Sequence, residues 1–254
     1  MREHERRPRA PRRAVSVETR PRTDLVYGLQ PVREALRGRR EVREVVCTRE
    51  AAAAMPFLEE SGAKLSFAVA ERIGELAERP DHQGVVAICE PYPYADPMEL
   101  LARPRALVVA LDGVTDPRNL GAIARSCECL GAHGLIVTKH GSAGVTAVVA
   151  KASAGAVEHL PIALATNLAD VLTHAKRPDL WSYAADATDG AAPWQTDLTG
   201  GVVLVLGSEG SGLRPLVRRR CDAAIAIPMP GRVESLNVAV AASLLLYEAL
   251  RQRA

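Results

Sequence analysis

The chain has 254 residues, 48% of them hydrophobic, which is enough to bury a large core and points to two compact units rather than one. No stretch approaches ~18 apolar residues without a charge, and the arginine-rich start lacks an apolar h-region. Neither a spanning helix nor a secretory signal is expected, and a cytoplasmic address is expected by default. The net charge of +2 hides an asymmetry, since residues 1–22 carry eight arginines against three glutamates, leaving the rest of the chain net acidic.

Such a basic, proline-bearing block offers almost nothing apolar to offset its ordering entropy, so a disordered tail is expected over 1–22. It suits contact with nucleic-acid phosphates, and it equally suits a solvated tail. Aromatic content of 4% argues against single-strand binding on stacking platforms. The five cysteines are odd in number and show no metal-ligand spacing. Mostly inside apolar runs, they read as reduced core thiols, and no metal is expected.

From Asp24 the polarity changes. Leu29, Val32 and Leu36 stand at helical spacing with Gly38 as a stop, EVREVVCT turns apolar as a strand, and REAAAAMPFLEESG reads as a helix ended by Gly62. KLSFAV, AERIGELAE and QGVVAICE follow as strand, helix and strand. A compact αβαβαβ unit with no catalytic constellation is thus predicted over 24–90, and His82 reads as a turn residue ahead of the last strand. PYPYADP, with three prolines in seven residues, is the linker candidate, stiff enough to hold two units at a set distance.

After a short helix the second unit opens with an apolar strand at 106–111. Strands and helices then alternate to the end of the chain, which implies a mostly parallel α/β sheet covered on both faces. Three strands, at 106–111, 202–206 and 223–227, break into unusual loops at their carboxyl ends, the edge where open α/β sheets bind ligands.

In the first loop Asp116 and Pro117 make a good helix start, as cap and first helical residue. Asn119 falls in the first turn, and Arg118 and Arg125 share a helix face. A half-buried arginine is costly unless paired, so Arg125 needs a substrate, a carboxylate such as Glu128, or a neighbouring subunit. The second loop, GSEGSG at 207–212, is neither a dinucleotide fingerprint nor a phosphate loop. Its glycines allow close backbone approach to a flat ligand, and Glu209 is either a ligand acceptor or the cap of a helix near Leu213. In the third, PMPGRVESLN, Ser235 is placed to cap the last helix and Asn237 to lie in its first turn. That helix is apolar nearly all round, which suggests packing on its own sheet and on a second subunit.

NLGAIAR at 119–125, VLVLGSEGSGL at 203–213 and IPMPGRVESLNVAVA at 227–241 resemble, in order, the three motifs of the SpoU/TrmH family of RNA ribose 2′-O-methyltransferases in the knotted SPOUT superfamily. Residues 24–90, opening YGLQPVREAL, are similar to the L30e-like RNA-binding domain of the branch that methylates a guanosine of 23S ribosomal RNA. The resemblance implies S-adenosylmethionine held in a C-terminal trefoil knot by backbone at Gly207, Ile227 and Leu236. It implies that Arg125 handles the ribose hydroxyl proton, that Asn119, Glu209, Ser235 and Asn237 build the site around it, and that the enzyme is a homodimer acting on RNA. The expected divisions are a tail at 1–22, an RNA-binding domain at 23–92, a linker and short helix at 93–105, and a methyltransferase domain at 106–254. The same chemistry on transfer RNA, or a non-catalytic RNA-binding protein on this fold, are the competing readings.

Overall fold

The computed structural model describes residues 24–58, 61–187 and 189–254, so the expectation for the tail at 1–22 lies outside the described residues. Two sheets organise the chain. The first has four strands, β1 (Asp24–Tyr27), β2 (Val42–Cys47), β3 (Lys64–Phe67) and β4 (Val85–Cys89), in the order β1-β4-β2-β3. Strand β4 pairs antiparallel with both β1 and β2, while β2 and β3 run parallel. Helices α1 (Leu29–Arg37), α2 (Arg49–Ala53) and α3 (Ala70–Ala77) connect them.

This unit differs from the sequence expectation at two places. It begins with a strand: β1 is four residues long, too short for an alternation signal, and it exists because β4 supplies a register from Asp24 with Cys89 to Tyr27 with Val86. The helix expected over 49–62 stops early, with α2 followed by a 3₁₀ turn at Pro56–Leu58, because Pro56 has no N–H to continue the ladder. Thr48 caps α2 by accepting from the Ala51 N–H, and His82 sits in a turn, as expected, its Nδ1 accepting from the Gly84 N–H at 3.0 Å.

The second sheet has six strands, all pairs parallel, in the order β10-β8-β9-β5-β6-β7. Its members are β5 (Leu107–Asp112), β6 (Gly134–Thr138), β7 (Ile162–Ala165), β8 (Leu180–Asp186), β9 (Gly201–Gly207) and β10 (Ala223–Ala226). The helices are α4 (Pro97–Leu101), α5 (Pro117–Cys129), α6 (Ala147–Ala152), α7 (Leu168–His174), α8 (Pro215–Arg220) and α9 (Val238–Arg253). Every residue of β5 and β6 is buried, which explains their unbroken apolar runs. The chain proceeds from β5 towards β6 and β7, then returns to build β8, β9 and β10 on the other side. Strand order therefore reverses at β5, and the carboxyl ends of β5 and β9 lie side by side with Asp112 opposite Gly207.

The proline-rich segment at 91–97 does not bridge a gap. Tyr92 is buried and its hydroxyl donates to the Val157 and Leu160 carbonyls at 2.9 and 3.0 Å. Tyr94 accepts from the Val145 N–H at 2.9 Å, and Ala95 forms a parallel bridge with Ala163. The segment is laid along the second unit because its tyrosines find backbone partners more than fifty residues away. One apolar core, containing Val26, Val32 and Val85 from the first unit and Val149, Val157 and Leu160 from the second, runs through the contact. Among the described residues no helix is long and apolar enough to cross a membrane, and no cluster of metal-ligating side chains occurs.

Candidate active site

Three loops leave the carboxyl ends of β5, β9 and β10 and converge. Asp116 caps α5 through the Arg118 N–H at 2.8 Å, with Pro117 at the first helical position, and this fixes where Asn119 stands. Asn119 Nδ2 donates to Glu209 Oε1 at 2.8 Å. Asn237 Nδ2 donates to the same oxygen at 2.8 Å and to Asn119 Oδ1 at 3.0 Å. One residue from each motif thus meets the other two.

Asn237 also corrects the expectation for α9. The cap is Asn237, whose Oδ1 accepts from the Ala239 and Val240 N–H groups at 2.9 and 3.3 Å, and Ser235 stands two residues outside the helix. The side chain that ends the extended loop at 228–237 must satisfy the first free N–H groups, and that loop turns helical one residue after Asn237. Glu209 does not cap a helix either. Helix α8 starts at Pro215, beyond its reach, so the carboxylate is left to the two asparagines.

The loop at 207–213 folds back on itself. Ser208 and Gly212 exchange backbone hydrogen bonds of 3.1 and 3.0 Å, and Gly210 and Gly212 hold positive φ of 84° and 65°. Gly207 lies so close to the returning strand that a Cβ there would sit 2.1 Å from the Gly212 carbonyl carbon. Asp112, which sequence reasoning does not single out, pins the far end. Its fully buried carboxylate accepts from the Arg214 N–H at 2.9 Å and from Arg214 Nε at 2.7 Å. A carboxylate closing an otherwise apolar strand was the readable signal. Asp186, at the end of β8, is a second such case: it accepts from Arg218 Nε at 3.1 Å, and Asp189 takes Arg218 Nη2 at 2.6 Å. These two carboxylates raise the pKa of the Arg218 guanidinium, Asp189 first.

A cavity of about 580 Å³ opens beside the loop. Gly207, Ile227 and Leu236 all line it, as do Glu209 and Ser235. Its walls include Leu206, Ile225, Met229 and Leu245, with Asp186 and Arg218 as polar groups at one side. Asn119 and Asn237 join it through Glu209. An apolar slot with a glycine floor and few polar groups fits a flat heteroaromatic ring carrying a polar chain.

Arg125 is placed differently from expectation. It is exposed on α5 rather than half-buried and lies outside the cavity lining, and among the described residues its side chain makes no hydrogen bond or ion pair. Its neighbour Ser126 is 2.7 Å from Ser243 on α9, Oγ to Oγ, so Arg125 borders the face where α5 and α9 meet. On α9 itself Val238, Ala242, Leu245, Leu246 and Ala249 are buried, whereas Val240, Leu244 and Tyr247 remain 46 to 60% exposed.

Comparison with known proteins identifies the family of both units. Residues 106–247 match the SpoU rRNA methylase family, and residues 25–95 match the RNA 2′-O ribose methyltransferase substrate-binding family. A tRNA/rRNA methyltransferase of Mycobacterium sp. (strain KMS) is 40% identical over 242 residues, covering 91% of this chain and 77% of its own length. The SpoU methyltransferase AviRb of Streptomyces viridochromogenes superposes with a TM-score of 0.79 at 31% identity, covering 91% of this chain and 90% of its own. An AdoMet-bound rRNA methyltransferase of Sinorhizobium meliloti gives 0.78 at 28% identity, covering 91% and 87%.

Proposed function

The chain belongs to the SpoU family of S-adenosylmethionine-dependent RNA methyltransferases, and from that premise we propose that it methylates the 2′-oxygen of a ribose, a guanosine of 23S ribosomal RNA. The observation that carries the reading is the meeting of Asn119, Glu209 and Asn237 at the rim of the cavity. Bound S-adenosylmethionine supplies a methyl group on a sulfonium, which needs no further activation. Gly207, Ile227 and Leu236, which line the cavity, would hold its adenine and ribose by their backbone. The family's trefoil knot, an exception to unthreaded connections, belongs to the same reading.

The chain's own residues then have two tasks. A ribose hydroxyl is a weak acid, so it must be aligned and its proton helped away as the new carbon–oxygen bond forms. Glu209, with Oε1 held by both asparagines, is fixed at the cavity wall, and Ser235 stands on the same wall. Arg125 brings a guanidinium rather than a general base to the reaction. Its role is to draw negative charge onto the 2′-oxygen, the proton leaving with help from an RNA phosphate or the second subunit. The exposed apolar strip on α9, beside Arg125, supports a homodimer with sites near the interface. A cytoplasmic enzyme meeting ribosomal RNA is consistent with this reading.

The test is to incubate the protein with labelled S-adenosylmethionine and purified ribosomal and transfer RNA, then map the labelled ribose. Label on a guanosine 2′-oxygen of 23S RNA is expected; label confined to transfer RNA selects the competing substrate, and no label with no cofactor binding selects a non-catalytic role. Arg125→Ala should abolish transfer and leave cofactor binding nearly intact, and full activity in that variant would remove Arg125 from the mechanism.

A further inference from the structure

The two sheet units are joined by a buried ionic seam that the proposed chemistry does not use. Arg40, in the turn after α1, donates from Nε to Glu158 Oε2 at 3.1 Å and from Nη2 to Glu158 Oε1 at 3.0 Å. The side chains are 2% and 0% exposed. Asp24 Oδ2 lies 3.6 Å from Arg40 Nη1 and accepts from the Tyr92 N–H at 3.0 Å, while the guanidinium sits 5.0 Å from the centre of the Tyr92 ring. Around this pair the surfaces touch without slack. The Arg39 N–H donates to the Glu158 carbonyl at 2.9 Å, and His159 Nε2 is 2.8 Å from Glu34 Oε2. A Cβ on Gly38 would meet Glu158 Cβ at 2.6 Å, and one on Gly155 would meet Glu34 Cβ at 2.5 Å. A second contact lies on α6, where Lys151 Nζ donates to Gln83 Oε1 at 2.8 Å and to the Asp81 carbonyl at 3.1 Å.

The segment carrying these contacts packs on the helix that carries Asn119. Residues 149–158 pack on α5 at Gly121, where a Cβ would lie 2.5 Å from Ala152 Cβ and 3.0 Å from the Ser153 nitrogen. Gly121 is two residues from Asn119. Desolvating two charges offsets most of their attraction, so a buried pair adds little net stability and acts best by fixing one arrangement over its neighbours. Close-packed contacts of this kind switch or break rather than stretch.

From this geometry we infer that Arg40 and Glu158 are positioning residues that make the first unit a fixed ruler. Whatever RNA element the first unit holds is kept at a set distance from Asn119 and Glu209, and that distance selects which ribose is methylated. The inference rests on the RNA methyltransferase reading, yet the two fail separately. Failure of that reading leaves the unaltered protein without methyl transfer, whereas failure of the ruler leaves active variants with unaltered position.

The experiment compares the full-length protein with Glu158→Ala and with Glu158→Gln, which keeps the shape and removes the charge. A third variant, Arg40→Met with Glu158→Met, refills the seam with apolar groups. Each is given labelled S-adenosylmethionine and the RNA that the unaltered protein methylates; the modified ribose is mapped, kcat and KM are separated, and small-angle scattering reports the spacing of the units. The single variants should show a broadened spacing, a fall of about tenfold in kcat/KM for RNA and label spread over neighbouring riboses, with cofactor affinity unchanged. The double variant should return the label to one position. Two outcomes overturn the inference: single variants with the normal spacing, or single variants with a loosened spacing and one normally placed methyl group. If Glu158→Ala fails to fold, Glu158→Gln and the double variant decide between the same outcomes.

Discussion

Asn119 and Asn237, 118 positions apart, are joined by a 3.0 Å hydrogen bond and both donate to one oxygen of Glu209. The relationship can be tested without losing the helix. Asn237→Asp keeps an equally good cap for α9, because either side chain can accept from the Ala239 and Val240 N–H groups. It also replaces a donor by a second carboxylate facing Glu209. Two like charges at that distance raise the pKa of one of them, and the pair titrates as a unit. The expected result is near-normal thermal stability with much reduced methyl transfer at neutral pH. Activity relative to the unaltered protein should rise as pH falls and a shared proton restores the bond. A flat ratio across the pH profile would show that the network does not govern transfer.

Gly207→Ala tests the cavity floor. The backbone there is not in the left-handed region, so alanine meets no conformational objection. The new Cβ would instead fall 2.1 Å from the Gly212 carbonyl carbon and 2.3 Å from the Leu213 nitrogen. Both are backbone atoms in a loop anchored through Arg214 to the buried Asp112, so the strain must open the loop. We expect cofactor affinity, measured by calorimetry, to fall at least about tenfold, with a loss of ~1–3 kcal/mol in stability typical of overpacking. Unchanged binding would place the cofactor elsewhere.

Much of this site is legible in the sequence. Runs of apolar residues ending in loops located the carboxyl edges of β5, β9 and β10, and Asp116-Pro117 gave the start of α5. The resemblance of the motifs implied Asn119, Glu209, Ser235 and Asn237 grouped around Arg125, and of these Asn119, Glu209 and Asn237 are hydrogen-bonded to one another. What could not be read was contact across long separations. Tyr92 has the look of a linker residue until Val157 and Leu160 supply acceptors, and Arg40 is one of many arginines until Glu158 arrives from 118 positions away. Ser235 and Asn237 are both good caps, and only the residue at which the chain turns helical decides between them. The exposure of Arg125 was misjudged for a related reason: Ile123, Ala124 and Cys127 around it on α5 are buried, while it lies on the exposed side of the helix.

His133 gives a pH dependence of fixed sign. Its Nδ1 accepts from the Leu107 N–H at 2.9 Å, at the head of the central strand. Burial, followed by the nearby charges of Arg103 and Arg253, holds its pKa below the usual 6.5. The folded state thus prefers the neutral ring, and the unfolded chain binds the proton more readily. This contribution is fully present above pH 6.5 and is lost as pH falls from there through the depressed folded value. His133→Asn can offer a side-chain oxygen near the same place and does not titrate. Melting temperatures measured from pH 7.5 to 5 should decline less steeply for the variant than for the unaltered protein; equal slopes would assign the acid sensitivity to other groups.

The last prediction concerns the outer face of α9. Val240, Leu244 and Tyr247 are spaced at i, i+4 and i+7 and stand 47, 46 and 60% exposed, forming one apolar stripe on a 16-residue helix. The stripe runs beside Ser243, whose bond to Ser126 ties it to the helix that carries Arg125. A contiguous exposed apolar strip signals an interface, and a two-fold axis through it would bring each copy against the other's α5. Arg125 would then gain the enclosure that it lacks in a single chain, which is what a charge needs to act strongly on a developing oxyanion. Leu244→Glu places a carboxylate in the stripe without touching the cavity. It should convert a dimer to a monomer in light scattering, retain measurable cofactor binding, and lose most methyl transfer. If the unaltered protein is an active monomer, the second subunit has no part in the reaction, and Arg125 must work from the solvent-facing position it occupies here.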